Sequence, residues 1–159
     1  MKLINLIIIL ITTIVFLSCD TNVKMEKSSG GKAELIYDSV KAQEYGADPY
    51  GMKKYVMAFL KKGPNKDLDK DSAMKLEMAH LKNIEKMAKD GKLVLAGPFF
   101  GNQELRGIYI FNVESIIEAE ELTGSDPAIQ AGSLEMELLE WYGSAALIEV
   151  NKIHKTLAN

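Results

Sequence analysis

The sequence predicts an α+β domain whose elements follow the order strand, helix, strand, strand, helix, strand. Three observations carry that reading. First, four short runs rich in β-branched, aromatic or aliphatic residues are closed by glycine, proline or polar residues, as strands are. They are Lys54–Leu60 (KYVMAFL), Leu93–Ala96, Gly107–Val113 (GIYIFNV) and Leu134–Tyr142 (LEMELLEWY). Second, the segment from Ser72 to Asp90 repeats apolar residues at helical spacing. Third, Ser115 stands three residues before Glu118, a helix-opening pair, ahead of a second helix to Leu122. Six elements in this order form the split βαβ, ferredoxin-like arrangement.

Each element has a local reason. Glu34–Glu44 carries Leu35, Ile36, Val40 and Ala42 and reads as a short N-terminal helix ending near Gly46. Helix and linker fill 34–49, and the domain with its C-terminal extension fills 50–159. Lys61-Lys62-Gly63-Pro64 stops the first strand, and Asp71 or Ser72 is expected to cap the first long helix. Gly91 closes that helix. Gly97-Pro98 is expected to break the second strand, and Gly101–Glu104 to turn the chain into the third. Asp126-Pro127 opens a short turn or helix. The tail from Ser144 to about Leu157 carries Ala146, Leu147, Val150 and Ile153, which suits a docked terminal helix. One sheet face takes both helices, so the other needs cover from a terminal helix or a second copy.

Ahead of the domain, Met1-Lys2 is followed by the apolar run Leu3–Leu17, then Ser18 and the sole cysteine, Cys19. A basic start, a short apolar run and a small residue read as a secretory signal, 1–18. The run is shorter than the roughly 20 apolar residues a span needs. Phe16-Leu17-Ser18-Cys19 resembles the lipobox of bacterial lipoproteins. That resemblance implies cleavage before Cys19, lipidation of its sulfur and anchoring of an exported domain in the cell envelope, periplasmic or at the surface. Residues 19–33 hold the polar run DTNVKMEKSSGGK and read as a tether. The net charge of −3 is modest and no basic stripe is present, so nucleic acid is not an expected partner.

His80 is the most informative residue of the domain. Ala73, Leu76, Ile84 and Met87 share its side of the helix, so the imidazole should face the sheet. An imidazole there needs partners for its ring nitrogens, whether it is structural or functional. Asp126 reads first as a helix cap before proline. It could instead orient the His80 tautomer. Gly97 allows close backbone approach, so with Pro98 it could border a ligand. Arg106 is the chain's only arginine and could clamp a carboxylate. Trp141 and Tyr142 point to opposite faces, so only one could line a given pocket, and Trp141 is the candidate. No phosphate-binding glycine loop, HExxH or GxSxG occurs, and two histidines make a poor metal set, so neither cofactor nor metal is expected.

His80-Leu81, the run Gly91-Lys92-Leu93-Val94-Leu95-Ala96-Gly97-Pro98, Arg106-Gly107-Ile108 and Asp126-Pro127-Ala128 together resemble the YCII-related family over Tyr55 to Tyr142. The resemblance implies a ferredoxin-like fold that pairs as a homodimer into a dimeric α+β barrel, similar to muconolactone isomerase-like proteins. It also implies a site built on a His–Asp pair, here His80 and Asp126. Some members are lyases that remove chloride from chlorinated hydroquinone-type substrates, while most have no established reaction.

Two functions compete for this sequence. One is an envelope-anchored enzyme of isomerase or lyase type, with His80 moving a proton, Asp126 holding the imidazole and Arg106 binding a small-molecule anion. The other is a non-catalytic ligand-binding or dimeric interaction module. A third reading keeps His80 and Asp126 as a core hydrogen bond.

Overall fold

The computed structural model describes residues 36–158. Cys19, the signal segment 1–18 and the tether 19–33 lie outside the described residues. Strand β1 (Met52–Lys62) is central because its two faces are both apolar. Val56, Ala58 and Leu60 point one way and Tyr55 and Met57 the other. It pairs antiparallel with β3 (Leu105–Phe111) on one side and with β4 (Leu134–Ser144) on the other, and β2 (Leu93–Pro98) pairs with β3. The strand order is β2-β3-β1-β4. With α2 (Lys70–Lys89) and α3 (Ile116–Gly124) as crossovers, the fold is ferredoxin-like. Three short helices complete it: α1 (Ser39–Glu44), α4 (Pro127–Gln130) and α5 (Val150–His154). A 3-10 turn, Ala145–Glu149, precedes α5.

Strand and helix ends shift by about two residues at several places, and three differences have a local cause. Helix α1 starts at Ser39 rather than Glu34, because the Asp38 side chain accepts the Lys41 amide and caps it there. The α2 cap is Asp69, not Asp71 or Ser72; its side chain accepts from both of those amides at 3.0 Å. Extended backbone at Asp69 turns its carboxylate onto the first free amides, where a cap must sit. Gly97 and Pro98 do not break β2 but continue it, opposite Ile108 and Gly107. Proline is tolerated because β2 is an edge strand, where a missing donor faces outward. Gly107 is required there: a Cβ would lie 2.6 Å from the Gly97 carbonyl oxygen.

The helix-facing side of the sheet buries Val56, Leu60, Leu93, Tyr109 and Phe111 against Met87 and Ala119. The opposite side carries a smaller cluster of Tyr55, Val94 and Ile110, covered by Trp141 and by Leu147 and Ile148 of the 3-10 turn. The Tyr55 hydroxyl donates to the Ser144 carbonyl at 3.0 Å, and burial pushes its phenol up to about 12. Asn151 of α5 donates to the Leu93 carbonyl at 2.7 Å, tying the C-terminal segment to β2. At the other end, α1 is fastened by the Tyr45 hydroxyl to Glu149, and the Tyr142 hydroxyl donates to Asp48. Among the described residues no helix is long and apolar enough to cross a membrane.

Phe111 is fully buried and meets Tyr109 edge-on with centroids 5.6 Å apart. Phe111→Ala is therefore expected to cost about 3–5 kcal/mol of unfolding free energy, read by urea denaturation. A loss below about 1 kcal/mol would show that this cluster does not hold the sheet to its helices.

Candidate functional site

The site begins where α2 passes over the sheet. Beneath its middle, the helix-facing positions of β2 and β3 are Ala96, Pro98 and Gly107. These residues offer little bulk, so the helix has little to pack on there. In α2 only Met87, near the C-terminal end, is buried. The space left is a cavity of ≈ 480 Å³, bordered by α2 residues His80, Leu81 and Ile84 and floored by Tyr109, Ala96 and Gly107. Its walls are mostly apolar, which suits an organic ligand with a few polar anchor points.

His80 and Asp126 meet. The Asp126 carboxylate lies fully buried and accepts from His80 Nδ1 through Oδ2 at 2.8 Å. Its other oxygen accepts the Ala128 amide at 2.8 Å, so the capping role and the histidine contact coexist on one side chain. Burial works to raise the Asp126 pKa, but the His80 hydrogen bond, the Ala128 amide and the His80 charge outweigh it, and the net displacement is downward. The carboxylate therefore accepts, which places the Nδ1 proton on His80 and leaves Nε2 as the nitrogen available for exchange. Among the described residues no buried side-chain nitrogen or oxygen lacks a partner.

Nε2 lies 3.2 Å from the Tyr109 hydroxyl. Tyr109 is not a candidate from sequence alone: in GIYIFNV it reads as one more strand aromatic. It pairs with Ala58 on β1 and Ala96 on β2, and its ring lies nearly parallel to that of His80 with centroids 6.2 Å apart. Parity within β3 is the available signal, since Tyr109 and Phe111 share the face that α2 covers.

Gly97, Pro98 and Arg106 also border the cavity. Arg106 Nη1 donates to the Gly101 carbonyl at 3.2 Å and to Asn102 Oδ1 at 3.4 Å, steadying the β2–β3 turn. Trp141 does not border it, which corrects the sequence expectation. It packs on Tyr55 across the sheet, with centroids 5.9 Å apart, because position 141 falls on the face opposite Leu134, Met136 and Leu138. Among the described residues no group of three or more His, Cys, Asp or Glu side chains could hold a metal ion.

The YCII-related domain matches residues 54–142, from within β1 almost to the end of β4 and more than half of the chain. The chain belongs to the YCII-related domain family. A relative, the uncharacterized protein YjpA of Bacillus subtilis (strain 168), is 29% identical over 62 residues, 39% of this chain and 71% of the relative. Among solved structures, 5-chloro-2-hydroxyhydroquinone dehydrochlorinase (TftG) from Burkholderia phenoliruptrix AC1100, in complex with 2,5-dihydroxybenzoquinone, aligns with a TM-score of 0.43 and 20% identity. That alignment covers 54% of this chain and 92% of the other. In this YCII-related domain both His80 and Asp126 fall within the matched residues.

Asp126→Asn removes the charge from the bond to His80 while keeping an oxygen for the Ala128 amide. It is expected to cost about 1.5–3 kcal/mol at pH 7. Because the folded carboxyl is held below its ordinary value, its stabilisation is complete above the unfolded pKa and is lost as pH falls through the folded one. The difference between wild type and variant should therefore narrow below about pH 4. Urea melts at several pH values check this, and a gap that widens in acid would contradict it.

Proposed function

We propose that this YCII-related domain is a small-molecule enzyme of proton-transfer type, an isomerase or lyase in reaction class. His80 is the general base and acid, and Asp126 holds its tautomer and balances the imidazolium that forms. The observation that carries this reading is a fully buried carboxylate on Nδ1 of a histidine that borders a mostly apolar cavity. Paired titratable groups in a cleft are a recurrent mark of functional sites. A purely structural pair would not need the cavity beside it. Arg106 borders the same space with a guanidinium only partly engaged by the β2–β3 turn, which suits a substrate with an anionic end. Ser133, which also borders the cavity, donates its hydroxyl to the Ala128 carbonyl at 3.1 Å, so the arrangement favours proton movement over attack by an activated hydroxyl.

Two features of the setting belong to the same proposal. A second copy covers the sheet face opposite the helices, where Leu139 is 48% exposed beside the half-buried Met57. The chain is held at the cell envelope by lipid on Cys19, as the run Leu3–Cys19 suggests.

In D2O the full chain is expected to exchange acidic C–H protons for deuterium in small keto acids or phenols, followed by proton NMR. His80→Gln should slow that exchange about 10²-fold or more. Equal exchange by variant and wild type, or none across the panel, would sink the enzymatic reading. Separately, tritiated palmitate fed to a bacterial host should label the wild-type chain and leave Cys19→Ser unlabelled. Equal labelling of the two would dispose of the anchor.

A further inference from the structure

Tyr109 serves the same cavity as His80. The residue is 2% exposed and borders the same cavity as His80, with its hydroxyl against the imidazole Nε2. Burial, followed by the charge of Asp126, raises the phenol far above its ordinary value. The hydroxyl therefore keeps its proton at neutral pH, and it has only one proton to donate. With Nδ1 committed to Asp126, the neutral form of His80 carries its lone pair at Nε2, 3.2 Å from the Tyr109 hydroxyl, which is then the donor of that contact. The lone pair that proton abstraction needs is occupied before a substrate arrives.

We infer that Tyr109 is a catalytic hydrogen-bond donor that masks His80 in the empty cavity and passes its bond to a substrate oxygen on binding. The inference rests on the acid–base reading of His80 and narrows the substrate to a carbonyl compound with an acidic C–H on the carbon next to the carbonyl. In the step, His80 Nε2 takes the proton from that carbon. The C–H electron pair becomes the carbon–carbon double bond of the enolate, and the carbonyl pair moves onto oxygen. Tyr109 donates a hydrogen bond to that oxyanion and keeps its own proton. Where the substrate is β,γ-unsaturated the enolate extends to a dienolate; the oxygen pair re-forms the carbonyl, the double bond moves to the α,β position, and the γ-carbon takes the proton back from His80, which completes an isomerisation and restores the neutral imidazole. A fixed donor aimed at developing charge in an apolar site needs no reorganisation when the charge appears.

The oxyanion is tested with 4-nitrophenol, whose phenolate is coloured and whose phenol is not. The full chain is expected to bind the phenolate saturably, and Tyr109→Phe about tenfold or more weakly. His80→Gln should lose deuterium exchange. Wild-type affinity should also be higher for 4-nitrophenolate than for the less basic 3,4-dinitrophenolate, a comparison that needs no variant to fold. Tyr109→Phe binding within about twofold of wild type, no saturable binding by wild type, or equal affinity for the two phenolates overturns the donor role. None of these touches the His80 reading, which is decided by deuterium exchange alone.

Discussion

A carboxylate with no exposure to water has to find its hydrogen bonds inside the protein, and Asp126 finds them on separate elements. His80 comes from α2, the Ala128 amide from the first turn of α4, and Asp126 itself stands between α3 and α4. Removing one partner from a buried charge is far more costly than never burying it. The carboxylate thus fixes α2 against the α3–α4 corner. Through His80 it also reaches Tyr109 at the middle of β3. Helix, corner and sheet are joined at a single polar point in otherwise apolar surroundings.

The cavity follows from what the sheet lacks beside that point. Ala96, Pro98 and Gly107 leave the stretch of α2 around His80 without a packing surface, while Leu93 and Phe111 supply one near its C-terminal end, at Met87. One end of α2 is therefore held by hydrophobic contact, and its middle by the His80–Asp126 bond. Gly107 meets two demands at once. It lets β2 approach β3 closely, and it leaves open space on the cavity floor.

Much of this is legible in the sequence, and the exceptions share a cause. The strand and helix order follows from periodicity and breakers. His80 declares itself as a polar residue in an apolar helical stripe, and Asp126 as a cap before proline. Tyr109 stays hidden because a strand aromatic looks the same whether its hydroxyl meets solvent, backbone or a histidine. Trp141 is drawn to the cleft by its size and its place at a strand end, yet parity with Leu134, Met136 and Leu138 decides its face. Gly97-Pro98 reads as a break because local preference cannot tell an edge strand from a central one. That distinction belongs to the strand order, which no single segment contains.

The bond from Asn151 to the Leu93 carbonyl has a consequence for self-association. An outer strand normally offers a row of donors and acceptors to any extended chain that approaches. On β2 the first of those acceptors is already taken by α5, and Pro98 has no amide to offer at the far end. A foreign strand aligned on this edge would forfeit hydrogen bonds at both ends of a six-residue ladder. Lateral growth of the sheet is thereby discouraged at β2, and β4 is left as the edge through which strand addition could proceed.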